Sequence, residues 1–318
     1  MDAFQKRINF KGDIKPLLEQ VSKEYKLGKY VSHTVISVGY EDFNLILETR
    51  VGKFFIKIFN AYRTKSDCER YINIIKKVTE HKVNLPNLLK FDGKFLYEIQ
   101  IKEQSIRLCV MEYINGKSLY DSKAKLSGKQ QKLLIKEITK INQIKFRPKT
   151  VYDSWAISNF IKEYKKKRKY LDTRIQETLD LLTKKFSKLS IDSLPYCLVH
   201  GDIIKTNVLE DKEGKLFIID FSVTNYYPRI QELAVLLCSC LFDEKSPNTQ
   251  TEQRKFALKE YQKYIQLSKK EIAAFPIFCD VAHAMHILQA TYEAKVNKNK
   301  SEENAYWLKL GKIGLGLK

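Results

Sequence analysis

The stretch 198-LVHGDIIKTNVLEDKEGKLFIIDFSV-223 is mostly apolar, but an acid, an amide and a second acid interrupt it: Asp202, Asn207 and Asp220. Residues 210–214 (EDKEG) predict a turn between two short strands. In such a hairpin Asn207 begins one strand and Asp220 ends its partner, so both lie at the same edge. The loop that carries Asp202 lies at that edge too. The spacing therefore predicts that three oxygen-bearing side chains converge on a small volume.

These three side chains have two interpretations. In phosphoryl transfer, one carboxylate orients the attacking hydroxyl or accepts its proton, while an amide oxygen and a second carboxylate hold Mg²⁺ against the phosphates. Alternatively, they are polar strand ends and a turn former that follows Gly201. The pattern H-G-D-x4-N, followed 13 residues later by I-D-F, favours chemistry because all three side chains occur together.

Composition is that of a globular protein. The chain has 318 residues, of which 44% are hydrophobic and 12% aromatic, and this length favours two domains or lobes. No apolar run approaches the roughly 18 residues of a membrane helix, and the N-terminal residues lack the apolar core of a secretion signal. The six cysteines show no CxxC pair, which favours buried free thiols in a reducing compartment. We therefore expect a soluble cytoplasmic protein.

The net charge of +20 leaves a second class of function open. A basic chain can attract nucleic acid, an anionic membrane surface or an anionic substrate. However, lysines are spread along the whole chain, and the run KKKRK at residues 165–169 is typical of the solvated face of a helix. The charge pattern therefore does not favour nucleic acid as the main partner, although the lysines of residues 162–169 keep that alternative open.

Hydrophobic patterns divide the chain into a strand-rich and a helix-rich part. A helix is predicted over residues 13–25 and another over 65–80. The predicted strands cover residues 34–40, 43–50, 53–60, 88–101 and 106–113. Helical spacing continues over 127–144 and 157–189, and three more helices are predicted after the hairpin. The first 112 residues thus predict a small antiparallel sheet that carries one helix after its third strand.

The motif 200-HGDIIKTN-207 with 219-IDF-221 resembles the aminoglycoside phosphotransferase and choline-kinase-like family of small-molecule kinases. The resemblance implies an α+β, protein-kinase-like fold of two lobes, with a nucleotide-binding lobe over residues 1–112 and a helical lobe over residues 113–318. It implies ATP and Mg²⁺ in the cleft, Asp202 as the catalytic base, and Asn207 and Asp220 as the Mg²⁺ ligands. His200 would orient the loop.

The family resemblance also implies a nucleotide site in the first lobe. The segment 54-FFIKIF-59 provides Lys57 for the phosphates, and residues 37–44 would form the loop that covers them. The segment 110-VMEYINGKSL-119 resembles the hinge, where backbone groups near Glu112 and Ile114 would pair with adenine. A glutamate should pair with Lys57, but Tyr71 stands where we expect it, and the nearest acid before that point is Glu69.

Two further positions differ from the family pattern or have two interpretations. Lys205 would either approach the γ-phosphate or be an exposed loop lysine. In 228-PRIQELAVLL-237, Glu232 stands where the family usually has an aspartate that braces the catalytic loop.

The predicted reaction is transfer of the γ-phosphoryl group of ATP to a hydroxyl of a small molecule, by a monomer or homodimer that uses no membrane. The acceptor would be a sugar, an amino alcohol or an antibiotic-like compound, and the basic net charge favours a neutral or anionic one. A kinase-fold binding module without turnover is the alternative. The three filled catalytic positions speak against it, and the missing glutamate at position 71 speaks for it.

Overall fold

The computed structural model describes residues 5–36, 42–101 and 104–317. The chain divides into two compact units. The first comprises Met1–Glu80 and Asn84–Gly116, and the second comprises His81–Val83 and Lys117–Lys318. The predicted lobe boundary after residue 112 lies close to this division.

The first unit contains an antiparallel five-stranded sheet with the strand order β1-β2-β3-β5-β4. Because β2 and β3 form a hairpin in which Asn44 faces Lys57, the register fixes which side chain of β3 lies near the start of β2. The elements of the unit are α1 (Lys15–Glu24), β1 (Tyr30–Ile36), β2 (Phe43–Thr49), β3 (Gly52–Ile58), α2 (Lys65–Glu80), β4 (Tyr97–Ile101) and β5 (Gln104–Glu112).

Periodicity explains the core of this unit. Side chains of β2 alternate between buried and half-buried, as period-2 patterning predicts for a sheet with one face on the core. Phe43, Leu45 and Leu47 of β2 pack in one cluster with Leu18 of α1. The helix predicted over residues 65–80 is confirmed as α2, and the predicted sheet with one helix after its third strand is confirmed as well.

The second unit is mainly helical, and the predicted hairpin is β8 paired with β9. β7 pairs with β10 in a separate two-stranded sheet. The elements are β6 (Gly116–Ser118) at the boundary of the units, α3 (Leu119–Ser122), α4 (Gly128–Asn142), α5 (Phe160–Lys167), α6 (Thr173–Ser187), β7 (Tyr196–Val199), β8 (Val208–Asp211), β9 (Leu216–Ile218), β10 (Asn225–Pro228), α7 (Arg229–Leu236), α8 (Gln250–Tyr261), α9 (Lys269–Lys295) and α10 (Glu302–Gly314).

Two sequence predictions for this unit were wrong in detail. The helical pattern over residues 157–189 is divided into α5 and α6, because the side chain of Asp172 accepts a hydrogen bond from the Ile175 N–H and begins a new helix. In the part of the chain that the structure describes, four α-helices rather than three follow the hairpin, since α7 and α8 are separate.

The long helix α9 forms the centre of the second unit. It begins at a capping box of Ser268 and Glu271. Among the described residues it is the one helix long and apolar enough to cross a membrane, but 72% of its apolar window is buried inside the protein. An all-round apolar helix of this kind is typical of the core of a soluble protein.

Candidate functional site

Asp202 lies in the loop that follows β7, directly after His200 and Gly201. Gly201 has φ +88°, a conformation that L side chains rarely adopt, and a Cβ there would lie 3.5 Å from the Val223 carbonyl oxygen. His200 is fully buried, and its ring edge packs on Phe221. The turn around Gly201 thus directs the chain from a buried strand into the loop that holds the acid.

His200 is hydrogen-bonded in a single tautomer. Its Nδ1 accepts a hydrogen bond from the Asp202 N–H at 3.2 Å, and its Nε2 donates to the Ile219 carbonyl oxygen at 3.1 Å. Burial lowers the pKa of His200 to about 4, so the ring is neutral near pH 7 and both contacts are satisfied. This geometry agrees with a structural role, because both ring nitrogens are used to hold the loop against Ile219, the residue that follows β9.

Asn207 joins the loop to the hairpin. Its Nδ2 donates to the Asp202 carboxylate oxygen Oδ2 at 2.7 Å and to the Asp202 carbonyl oxygen at 3.0 Å. The Ile219 N–H donates to the Asn207 carbonyl oxygen at 3.0 Å, which brings the residue before Asp220 beside Asn207. The predicted convergence of the hairpin edge with the loop is therefore present in the structure.

Asp220 adopts the left-handed backbone region, with φ +60°. Its Oδ1 accepts hydrogen bonds from the Ser222 hydroxyl at 2.6 Å and from the Ser222 N–H at 3.3 Å. A side chain in this region costs about 1 kcal/mol. Aspartate tolerates this region better than most side chains, because its carboxylate can form local hydrogen bonds such as those with Ser222.

Asp202 lies in an acidic environment. Burial raises its pKa to about 8, with further contributions from the negative charges of Asp153 and Asp220 and, more weakly, of Glu303. The hydrogen bond from Asn207 opposes the rise. Carboxylates that repel one another favour a bound cation, because a cation stabilises their charged forms.

Asp153 is a candidate site residue that sequence reasoning did not identify, since its charge acts on Asp202. It is 7% exposed, and its Oδ1 accepts a hydrogen bond from the Trp155 N–H at 2.8 Å. Val151, two residues earlier, exchanges two hydrogen bonds with the side chain of Asn225 in β10. Asn225 faces Val199, the residue before His200. The Asp153 segment is thus tied, through Asn225, to the strand that leads into the loop of Asp202.

A buried ionic network holds both neighbours of Asp153. The Tyr152 hydroxyl donates to Glu163 of α5, and Gln289 of α9 donates to the Ser154 carbonyl oxygen. Lys167 links the two, since its Nζ contacts Gln289 and lies 2.7 Å from Glu163 Oε2. The prediction that residues 165–169 form a solvated face is therefore wrong for Lys167, which is buried.

The side chain of Lys205 is partly buried and contacts two other side chains. Its side chain is 17% exposed, and Nζ donates to the Tyr306 hydroxyl at 2.8 Å and lies 3.1 Å from Glu244 Oε1. The Tyr306 hydroxyl donates to the same Glu244 oxygen at 2.8 Å. The interpretation as an exposed loop lysine is wrong, because Lys205 joins the loop of Asp202 to Tyr306 of α10.

Glu232 is fully buried in α7 beside the loop. Burial raises its pKa to about 8, the amides of His200 and Gly201 oppose that rise, and the charge of Asp202 adds to it. Among the described residues neither carboxylate oxygen of Glu232 has a hydrogen-bond partner, so the longer side chain at this family position lies near the Asp202 loop without bracing it by hydrogen bonds.

The nucleotide candidates of the first unit differ in their surroundings. Lys57 is buried in β3, and its Nζ lies 3.2 Å from Asp42 Oδ2. Glu69 is exposed on α2, so the structure pairs Lys57 with Asp42 rather than with the predicted glutamate. Of the predicted phosphate-covering loop, residues 37–41 lie outside the described residues, whereas residues 42–44 lie within them.

The two hinge candidates, Glu112 and Ile114, lie at the end of β5 and in the connection that follows it. Glu112 ends β5, and its N–H donates to the Asn87 carbonyl oxygen at 3.0 Å. Its side chain accepts a hydrogen bond from Asn87 Nδ2 at 2.9 Å. Ile114 follows in the connection to β6, and its carbonyl oxygen accepts from the Gly116 N–H. Pairing of this segment with adenine stays a prediction.

Comparison with known proteins decides the family. A model of the phosphotransferase enzyme family (APH) matches residues 32–266. The chain belongs to that family. The homoserine kinase of Bradyrhizobium diazoefficiens is 24% identical over 266 residues, which cover 80% of this chain and 77% of the relative. The suspected family and the predicted enzyme class, a phosphotransferase, are confirmed.

Solved structures confirm the fold of this phosphotransferase. An amicoumacin kinase in complex with AMP-PNP, Ca²⁺ and Ami has a TM-score of 0.67 and 17% identity, and the match covers 95% of this chain and 93% of that chain. A microcompartment-associated aminopropanol kinase has a TM-score of 0.67 and 14% identity, with 95% of each chain covered. The predicted α+β, protein-kinase-like fold is therefore correct.

Proposed function

We propose that this phosphotransferase moves the γ-phosphoryl group of ATP, with Mg²⁺, to the hydroxyl of a small amino alcohol. The observation that carries the proposal is the convergence of Asp202, Asn207 and Asp220, joined by the 2.7 Å contact from Asn207 to Asp202 and the 3.0 Å contact from Ile219 to Asn207. One acid, one amide and a second acid at a hairpin edge are the groups that phosphoryl transfer needs.

Asp202 would orient the acceptor hydroxyl and take its proton. Asn207 fixes the Oδ2 atom, and His200 fixes the backbone, so the carboxylate has a defined direction. With its pKa raised to about 8, the acid would bind a proton readily once the hydroxyl loses it. Cations bound beside it would favour the charged form that begins the reaction.

Asn207 and Asp220 fit Mg²⁺ by the chemistry of their donor atoms, because amide and carboxylate oxygens are hard ligands. The Asn207 amide donates its N–H groups to Asp202, which leaves its oxygen to act as the ligand. When bound, Mg²⁺ would neutralise charge on the phosphate oxygens. The protein would supply two ligands, and the remaining ones would come from nucleotide and water.

Lys57 would bind the nucleotide phosphates, and the backbone near Glu112 and Ile114 would pair with adenine. A buried lysine of a β-strand that already has one carboxylate beside it keeps a charged ammonium available for phosphate. These assignments rest on the family pattern and on the position of Lys57 in β3.

The acceptor class is supported by chemistry from two sources. The relatives named above include a homoserine kinase and an aminopropanol kinase, and both compounds combine a hydroxyl with an amino group. Asp153 acts electrostatically on Asp202 and is buried in a fixed turn. A carboxylate there suits an ammonium group on the acceptor, so the local charge favours an amine although the net charge of the chain is +20.

We place the enzyme in the cytoplasm, as a monomer or homodimer. All six cysteines are free thiols, and five of them are buried. Buried thiols without a disulfide suit a reducing compartment.

A phosphorylation screen with the purified protein tests the proposal. ATP consumption and phosphorylated product should appear with at least one compound among homoserine, aminopropanol, choline, ethanolamine and simple sugars, and they should require Mg²⁺. Asp202→Asn should lower kcat by about 10³-fold, which is the scale of losing a positioned base. Asp192→Asn, at an exposed acid, is the matched control.

Two results would contradict the proposal. The first is the same residual ATP hydrolysis in the wild type and in Asp202→Asn with every compound, which would favour a binding module. The second is salt-sensitive nucleic-acid binding that is unaffected by substitution of Asp202 or Asp220, which would favour the basic-surface alternative.

A further inference from the structure

A buried ion pair connects the start of β2 with β3. Lys57 Nζ lies 3.2 Å from Asp42 Oδ2, and the two side chains are 3% and 1% exposed. Asp42 directly precedes β2, and Lys57 faces Asn44 in the hairpin register. Because charges are removed from water at a high cost unless they are paired, this is a position where the protein keeps a charged lysine by giving it a counter-ion.

The two oxygens of Asp42 have separate partners. Oδ1 accepts hydrogen bonds from the Asn60 N–H at 3.0 Å and from Arg63 Nε at 2.8 Å, while Oδ2 faces Lys57. The Asp42 carbonyl oxygen accepts a further hydrogen bond from Arg7 at 3.0 Å. The carboxylate is therefore fixed by the turn after β3, and its orientation does not depend on Lys57.

Helix α2 places an aromatic ring, rather than an acid, beside the lysine. The Lys57 Nζ lies 5.2 Å from the centroid of the Tyr71 ring, and Tyr71 is buried. The ring face attracts an ammonium but carries no net charge. Glu69, the acid that sequence reasoning considered, is exposed. The carboxylate that α2 was expected to supply is thus found at the start of β2.

We propose that Asp42 positions Lys57 for the nucleotide phosphates and replaces the expected glutamate of α2. The inference rests on the proposed function, because it assigns Lys57 to the phosphates. Asp42 acts through Lys57 and is a positioning residue. A lysine side chain has four flexible carbons, so a fixed carboxylate beside it reduces the freedom that is lost when the ammonium binds phosphate.

The position of Asp42 gives the pair a second consequence. Asp42 lies within the predicted phosphate-covering loop, residues 37–44, and directly precedes β2. The same side chain therefore contacts both the lysine of β3 and the turn that follows β3. A glutamate on a helix would fix the lysine alone.

A matched pair of substitutions separates charge from shape at this position. Asp42→Asn keeps an oxygen for Asn60 and Arg63 but removes the charge that faces Lys57. Asp42→Glu keeps the charge but changes the length. We expect Asp42→Asn to lower kcat/KM for MgATP by roughly 10² while the KM for the acceptor stays unchanged, as for a misplaced binding group. Asp42→Glu should retain more activity.

The kinetic comparison can overturn the proposal in two ways. If Asp42→Glu loses as much as Asp42→Asn, with both variants folded by circular dichroism, shape rather than charge is what matters. If Glu69→Gln loses as much as Asp42→Asn, the role returns to α2.

A stability cycle tests the pair without nucleotide. Unfolding by urea is measured for the wild type, Asp42→Asn, Lys57→Met and the double variant. Asp42→Asn should destabilise the wild type far more than it destabilises Lys57→Met, with a coupling of about tenfold in the unfolding constant, or about 1.4 kcal/mol. Additive effects would overturn the pairing. A wild type that consumes no ATP with any acceptor would defeat the proposed function, yet this cycle would still report on the pair.

Discussion

The two candidate sites, one in each unit, treat buried charge in opposite ways. In the first, Lys57 and Asp42 are both buried and each lies beside the opposite charge, with Arg63 as a further cation on the same carboxylate. In the second, burial and the charges of Asp153 and Asp220 raise the pKa of Asp202 to about 8. The candidate site of the first unit pairs opposite charges within the chain, whereas that of the second unit brings several carboxylates together.

The difference indicates which kind of ion each candidate site would bind. A paired lysine is already charged and placed, so it can bind an anion without further rearrangement. A carboxylate whose pKa is raised by neighbouring carboxylates is stabilised in its charged form when a cation binds beside it. We therefore expect the second unit to gain most from Mg²⁺ and from a cationic acceptor, and we expect removal of single carboxylates to act mainly through these cations.

Removal of the Asp220 carboxylate should produce the largest of these effects. With one hard oxygen ligand replaced by an amide, Asp220→Asn should raise the Mg²⁺ concentration for half-maximal activity by roughly tenfold to 100-fold, a range typical of disturbed metal sites. The measurement is a Mg²⁺ titration of ATP consumption at saturating acceptor, with Asp192→Asn as control. If activity is too low, calorimetric titration of Mg²⁺ and nucleotide gives the same constant. An unchanged Mg²⁺ dependence with a lower kcat would remove Asp220 from the metal site.

Asp153 should have a smaller effect that depends on the charge of the acceptor. Asp153→Asn keeps the oxygen that accepts from Trp155 and removes the charge, so the turn should survive. We expect kcat/KM to fall by about tenfold or more for an amino alcohol, since a hydrogen bond to a charged group contributes about 1.5–3 kcal/mol.

An uncharged analogue of the acceptor makes this prediction selective. Choline compared with 3,3-dimethylbutan-1-ol, or aminopropanol compared with the corresponding butanol, differ in the ammonium group. The wild type should prefer the amine, and Asp153→Asn should lose that preference. Equal losses for both compounds would make Asp153 a structural residue, and a loss of preference in Glu303→Gln instead would move the ammonium site to α10.

Local patterns predicted the part of the site that one hairpin builds. The turn at residues 210–214 sets the register of β8 and β9, so the spacing of Asn207 and Asp220 places them side by side. Periodicity likewise predicted β2, β3 and α2, because each buries one regular face. In these segments the information lies within about 20 residues of sequence.

Contacts between distant residues account for what sequence reasoning missed. Asp42 gains its role through the β2–β3 hairpin, and Asp153 gains its role through Asn225 and through α9. Lys167 looks like its solvated neighbours in KKKRK, but it is buried because Gln289, 122 residues away, lies against it. No local pattern distinguishes these residues from exposed ones.

The smallest predicted effect concerns a buried base of the second unit. His286 of α9 stacks on Trp307, and burial lowers its pKa to about 4. The ordinary value of the unfolded chain is 6.5, so the unfolded state binds more protons between these values. Stability is therefore fully present above pH 6.5 and is lost as the pH falls toward 4.

His286→Phe tests whether burial keeps His286 neutral, since phenylalanine keeps a ring on Trp307 and cannot bind a proton. Between pH 7 and pH 5 the wild type should lose about 2 kcal/mol more of its unfolding free energy than the variant. Urea unfolding at the two pH values measures the difference, with His81→Gln, at an exposed histidine, as the control. If the wild type and His286→Phe lose the same free energy, His286 is not held neutral by burial, and the contrast between the paired Lys57 and Asp42 and the neutral buried groups near α9 would be weakened.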